Sequence, residues 1–223
     1  MLIMEKKGFF RMIETLRFVR WIALGLIVLL ASGVAITQFH PRGTPAEADA
    51  TAGTVGVPEG IAIGGPFHLI DSNGHPVTDA DYRGRWMLVY FGYTNCPDVC
   101  PLTLQKVAAA LQNLGPLADR LAPLFISVDP ARDTAGQLAN YVKNFDPRII
   151  GLTGSDEQVA AVAKAYKLYY SPATPDKSGA YIVDHSSFLY LMDPRGEFTA
   201  ILPPDADAGE LAIALRSKLS QKS

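Results

Sequence analysis

Two cysteines occur in 223 residues, and they sit four apart in Thr94-Asn95-Cys96-Pro97-Asp98-Val99-Cys100-Pro101. They follow directly on the apolar run Trp86-Met87-Leu88-Val89-Tyr90-Phe91-Gly92, so a buried strand feeds a turn that opens a helix. Near a helix N-terminus, backbone N–H groups and the helix dipole favour thiolate over thiol. Thiolates exchange disulfides or bind soft metal ions. An inert structural bridge is a further use of such a pair, but one that closes so few residues constrains the unfolded chain little.

The elements that position this pair follow from pattern. Pro66–Ile70, the turn signal Asp71-Ser72-Asn73-Gly74 and Pro76–Thr78 read as a β-hairpin. Trp86–Gly92 is a strand buried on both faces. Leu104, Val107, Leu111 and Leu114 fall at helical spacing behind the cysteines, and Gly115-Pro116 stops that helix. Ala122–Val128 is the next buried strand. Asp129-Pro130 breaks it, and Thr134 caps a helix to about Phe145, with Asp133 read as part of the same turn and cap. Ile149–Leu152 is a short strand. Ser155-x-x-Gln158 is a capping box opening a helix over Glu157–Leu168. Ser187–Met192, the turn Asp193–Gly196 and Glu197–Leu202 form a second hairpin, and an amphipathic helix covers about Asp207–Leu219. This order predicts an α/β fold, a parallel sheet with an antiparallel portion and helices on both faces. Sites in such sheets lie beyond the carboxyl ends of the parallel strands. The Cys96 loop and Asp129 both fall there, and so does Asp184-His185 if the strand after it runs antiparallel.

Ahead of this domain, residues 21–39 are apolar and uncharged, close to the roughly 20 residues a membrane-crossing helix needs. Lys6, Lys7, Arg11, Arg17 and Arg20 precede the stretch, so residues 1–20 are expected in the cytoplasm and the rest exported. A cleaved signal peptide ending near Ala48-Asp49-Ala50 is the competing reading, disfavoured by the length of the apolar stretch. Residues 40–60, rich in Ala, Gly, Pro and Thr, read as a flexible tether to a domain over 61–223. A net charge of −2 gives no sign of nucleic-acid binding.

Four segments together resemble the Sco/SenC proteins: Tyr93–Pro101, Ser127-Val128-Asp129-Pro130-Ala131-Arg132-Asp133-Thr134, Leu152-Thr153-Gly154 and Tyr181-Ile182-Val183-Asp184-His185-Ser186. The resemblance covers about residues 60–220 and implies a membrane-anchored, thioredoxin-like copper protein that serves assembly of the binuclear copper site of cytochrome c oxidase. The oxidase subunit carrying that site is the implied partner, alongside other periplasmic copper chaperones. Ordinary thioredoxins carry Cys-x-x-Cys and commonly a cis-proline facing it. Here an extra residue separates the cysteines, and no proline follows His185.

By that resemblance Cys96, Cys100 and His185 are metal ligands for copper, as Cu(I) and also Cu(II). Positions i and i+4 share a helix face, so one helical turn holding both cysteines would aim their sulfurs into one space. Soft thiolates and imidazole suit copper. The ring's other nitrogen is expected to donate to a carboxylate or a carbonyl, with Asp129 or Asp184 as the candidate carboxylates, and Asp98 either tunes the sulfurs or is a solvated turn carboxylate. His40, His68 and His75 have no local ligand partner. Tyr169–Tyr181 reads as a lid that opens for copper, or as a plain surface hairpin. The leading function is copper capture and delivery, with Cys96 and Cys100 as a redox pair able to reduce the acceptor. The alternative is a thioredoxin-like reductase or peroxidase that needs no copper. A copper or redox sensor lacks a supporting motif, and zinc lacks a fourth ligand. The expected location is a bacterial inner membrane, single-pass with a periplasmic domain. A mitochondrial inner membrane is the alternative, disfavoured by the lack of an Arg- and Ser-rich transit segment before residue 21.

Overall fold

Seven strands, His68–Asp71 (β1), Pro76–Thr78 (β2), Trp86–Gly92 (β3), Leu121–Ser127 (β4), Ile150–Thr153 (β5), Leu189–Met192 (β8) and Phe198–Leu202 (β9), hydrogen-bond in the order β2-β1-β5-β4-β3-β8-β9 in the computed structural model, which describes residues 57, 60–172 and 180–220. The expected membrane helix (21–39), the segment before it and nearly all of the tether lie outside the described residues. Among the described residues no helix is long and apolar enough to cross a membrane.

The hairpin of β1 (His68–Asp71) and β2 (Pro76–Thr78) turns where the sequence signals it. Asp71 Oδ1 accepts the Asn73 and His75 N–H groups, and Gly74 takes φ +85, which a side chain would strain. At the centre, β3 (Trp86–Gly92) pairs parallel with β4 (Leu121–Ser127), and β4 parallel with β5 (Ile150–Thr153). Every residue of β3 and β4 is buried, as continuous apolar runs require of parallel strands covered on both faces. Alternation sends Phe91 to one face, where it meets Tyr166 and Tyr190 edge-on at 5.4 and 5.9 Å. Tyr90 turns to the other face and meets Phe125 at 5.9 Å.

The helices are capped as their sequences predict. Helix α1 (Val99–Leu114) buries Leu104, Val107, Leu111 and Leu114 and ends at Gly115. Capping boxes at Thr134/Gln137, Ser155/Gln158 and Asp207/Glu210 start α2 (Ala135–Val142), α3 (Asp156–Ala165) and α4 (Ala208–Leu219). Two helices stop earlier than their apolar patterns suggest. Helix α2 ends three residues before Phe145, and α3 ends where Lys167 takes φ +55 and the Leu168 N–H bonds back to Ala163 O. The second hairpin is β8 (Leu189–Met192) with β9 (Phe198–Leu202), and β8 runs antiparallel to β3.

One element has no counterpart in the strand pattern of the sequence. β6 (Tyr170–Pro172) and β7 (Val183–His185) form a separate antiparallel ribbon, with Tyr170 opposite His185. The expected lid, Tyr169–Tyr181, therefore starts one residue before β6 and ends two residues before β7, and its residues 173–179 lie outside the described residues. Because β8 antiparallels β3 with Leu189 opposite Tyr90, the ribbon before it lands at the carboxyl end of β3, beside the cysteine loop.

An ion pair ties the base of this arrangement. Arg148 donates to buried Asp146 through Nε and Nη2 at 2.8 and 2.7 Å, and its Nη1 reaches Leu111 O at 3.4 Å in the last turn of α1. The Arg148 side-chain hydrogen bonds hold the Asp146 carboxyl below its ordinary range. A depressed folded pKa contributes stability that is present above the unfolded value, near 3.8, and is lost as pH falls through the folded one. Asp146→Asn is thus expected to lower the melting temperature at pH 7, with the gap from wild type closing below about pH 4. Melting curves across pH check it; a gap that stays constant into acid contradicts the pairing.

Candidate metal centre

The cysteine loop leaves β3 at Gly92, and the reason for a glycine is spatial. A Cβ there would lie 2.9 Å from Cys100 Sγ and 2.7 Å from Phe125 Cε2, so the sulfur packs directly onto bare backbone. Next, Thr94 is pinned from a distance. Its N–H and Oγ1 donate to the two carboxylate oxygens of Asp133 at 2.9 and 2.5 Å, and Ser127 Oγ donates to the same carboxylate at 2.6 Å. Asp133 is fully buried. It does not shape the helix cap as the local sequence suggests, because Thr134 alone caps α2.

Cys96 then lies in the turn, its N–H on Tyr93 O at 3.3 Å, while α1 begins only at Val99. The two cysteines do not share a helical face in the i, i+4 sense expected. Instead the Cys100 N–H, in the first turn of α1, donates to Cys96 Sγ at 3.4 Å. The Cys96 sulfur thereby occupies the place an oxygen usually takes at a helix start, satisfying one of the free N–H groups there. Cys96 is half-buried and Cys100 is buried.

His185 completes the cluster from β7. Its Nε2 lies 3.4 Å from Cys100 Sγ, and the three donor atoms of Cys96, Cys100 and His185 all fall within 4.8 Å of one another. The Nδ1–H donates to Ser186 O at 3.1 Å, which leaves the Nε2 lone pair facing the sulfurs. Burial holds the imidazole pKa below its ordinary value, so the ring is neutral, and Tyr93 and Tyr90 wall it edge-on at 5.9 and 6.4 Å. Burial also pushes the Cys100 thiol up to about 12, with the Cys96 side chain adding to it. Desolvation therefore outweighs the helix dipole at Cys100, contrary to the thiolate expected there. With no ion present the Cys100 S–H donates to Nε2, and a bound metal ion would take the place of that proton.

The three acidic residues proposed around the site differ in their surroundings. Asp98 is the exposed residue before α1 and makes no side-chain cap. Asp184 is exposed on β7. Asp129 is buried, but its carboxylate pairs with Arg132 Nε and accepts from Tyr181 Oη at 2.7 Å, so it does not meet the imidazole. The acceptor for the ring is the Ser186 carbonyl, a backbone atom without a sequence signature. Gly92, Thr94, Ser127 and Asp133, which hold the cysteine loop, also lack a local motif that would have singled them out for that role.

Comparison with known proteins agrees with this geometry. The SCO1/SenC family model matches residues 56–220. The human protein named "Protein SCO1 homolog, mitochondrial" is 47% identical over 160 residues, 70% of this chain and 53% of its own, so the match spans about half the length of that relative. The structure of Bradyrhizobium japonicum ScoI with copper bound superposes with a TM-score of 0.66 at 42% identity, covering 70% of this chain and 99% of that one. Yeast Sco1 with copper bound gives 0.68 at 38% identity, covering 73% and 91%.

Removing the Asp133 carboxylate would leave the half-buried Thr94 donors and the buried Ser127 hydroxyl without that partner. Asp133→Ala is expected to destabilise the fold by roughly 3 kcal/mol, at about 1–3 kcal/mol for each stranded group. Urea unfolding measures this, and an unchanged midpoint would show that the loop is held by something else.

Proposed function

Since the chain belongs to the SCO1/SenC family, we propose that it is a copper carrier that binds its cargo through Cys96, Cys100 and His185 and delivers it to the binuclear copper site of cytochrome c oxidase. The observation that carries this is the convergence of two sulfurs and one imidazole nitrogen within 4.8 Å, with the nitrogen lone pair directed inward. Two thiolates and one imidazole are a soft donor set that suits Cu(I). A structural zinc site takes four protein ligands, and among the described residues this cluster has three.

The residues also suit a carrier. Cys100 is the enclosed donor, while Cys96 and His185 are half-buried, and Cys96 is the thiolate an incoming acceptor thiol can replace first. The acceptor thiol gives up its proton and Cys96 takes one as its bond to copper breaks, so the ion moves by ligand exchange without changing oxidation state. Both cysteines are free thiols here. Joining them in a disulfide would withdraw two of the three ligands. Reducing power could pass from the same pair to a disulfide of the acceptor, which ends reduced while Cys96 and Cys100 end oxidised. We place the domain on the non-cytoplasmic side of a respiratory membrane, bacterial or mitochondrial, held by the apolar segment 21–39.

The test is an anaerobic Cu(I) titration of the reduced full-length chain against a competing chelator. Wild type is expected to bind one equivalent tightly, Cys96→Ser and Cys100→Ser to lose tight binding, and His185→Ala to bind about 10-fold or more weakly while still reducing a model disulfide. Four proteins that bind alike would refute the site. A His185→Ala protein indistinguishable from wild type in copper binding would favour a plain thiol reductase.

A further inference from the structure

The third donor sits on a weak support. The β6–β7 ribbon is not part of the seven-stranded sheet, and a two-stranded hairpin is only marginally stable alone. Something outside the ribbon must therefore hold His185 against the cysteines. We infer that Arg132 is a positioning residue that clamps the His185 ribbon to the cysteine loop, an inference that rests on the copper-site reading above.

Arg132 comes from the turn after β4, at the same sheet edge as the cysteine loop. Its own backbone N–H bonds to Asp129 O at 3.1 Å, and its Nε pairs with the buried Asp129 carboxylate, so the guanidinium starts from a fixed base. From there it makes two contacts with Tyr181, two residues before β7. Nη1 donates to Tyr181 O at 3.0 Å, and the guanidinium lies 3.6 Å from the centre of the Tyr181 ring. Tyr181 closes the loop by donating its hydroxyl to Asp129. On its other side the guanidinium lies 5.8 Å from the ring of Tyr93, whose hydroxyl accepts the Val183 N–H at 3.2 Å. Tyr93 follows β3 and walls the imidazole, and Val183 is two residues before it. One planar cation thus joins the residue that begins the cysteine loop to the strand that carries the histidine. Lysine cannot replace it, since a point charge neither donates from two nitrogens in a fixed fork nor stacks flat on a ring.

Arg132→Lys keeps the charge and removes the fork, which separates clamping from a general electrostatic effect on the sulfurs. In the full-length chain, Arg132→Lys is expected to weaken Cu(I) binding by about tenfold. In a His185→Ala background the same change should have an effect within about twofold, the scatter of independent sites. In the metal-free protein, Arg132→Lys should also speed hydrogen exchange of the Val183 amide by about tenfold or more and leave the Leu104 amide in α1 unaffected. Equal weakening in both backgrounds, or unchanged Val183 exchange, overturns the inference. If His185→Ala alone binds like wild type, the copper-site reading falls, and the metal-free exchange still decides whether Arg132 clamps the ribbon. Should Arg132→Lys not fold, Tyr181→Ala removes the stacked partner from the half-buried segment leading into β7 and must give the same Val183 result.

Discussion

A buried carboxylate held by two hydroxyls and one backbone N–H governs the geometry of this chain. Asp133 is fully buried and is satisfied by the Thr94 N–H, the Thr94 hydroxyl and the Ser127 hydroxyl. Such a group is tolerable only when its oxygens are well hydrogen-bonded, and the charge makes each of those bonds stronger than a neutral one. The consequence is that the exit from β3 and the exit from β4 are fastened to each other. With that joint made, the turn that carries Cys96 has a fixed start, α1 has a fixed origin, and Cys100 is pressed onto Gly92 at the end of β3.

The donors are then assembled from three chain segments that have different degrees of support. The Cys100 sulfur is part of the core. Cys96 is held by a turn and by an N–H from α1. His185 is held by a ribbon attached through Tyr93, Arg132 and Asp129. This gradient suits an ion that has to arrive and leave, because the pocket keeps its buried sulfur in the core while its two half-buried donors remain reachable. The same enclosure keeps Cys100 and His185 neutral in the metal-free protein. A thiol pushed up to about 12 and an imidazole held below its ordinary pKa can share a hydrogen bond without placing bare charge in the core.

Much of this was legible in the residues themselves. The parallel centre, the Ser155/Gln158 capping box, the Thr134 cap and the two hairpins follow from pattern, topology places Asp184-His185 at the edge of the cysteine loop, and the resemblance to the Sco/SenC proteins names His185 as the third ligand. What was hidden has a common cause, namely contacts that depend on distant partners. Asp133 next to Thr134 looks like a local cap, yet its partners are Thr94 and Ser127. Asp129 and Asp184 look like partners for the imidazole by their charge, yet a carbonyl one residue away accepts the ring N–H with less rearrangement. The helix start was expected to include both cysteines, but it falls three residues later, after Pro97 and Asp98. Local dipole reasoning also favoured thiolates, and the depth of burial at Cys100 reverses it.

The central claim is that two sulfurs and one ring nitrogen form a single three-coordinate site in this chain. X-ray absorption at the copper edge of the Cu(I)-loaded full-length protein tests it most directly. The account predicts two sulfur scatterers and one nitrogen scatterer, with the nitrogen lost in His185→Ala and the sulfurs retained. A wild-type spectrum with two sulfurs and no nitrogen, or one left unaltered by His185→Ala, would contradict it.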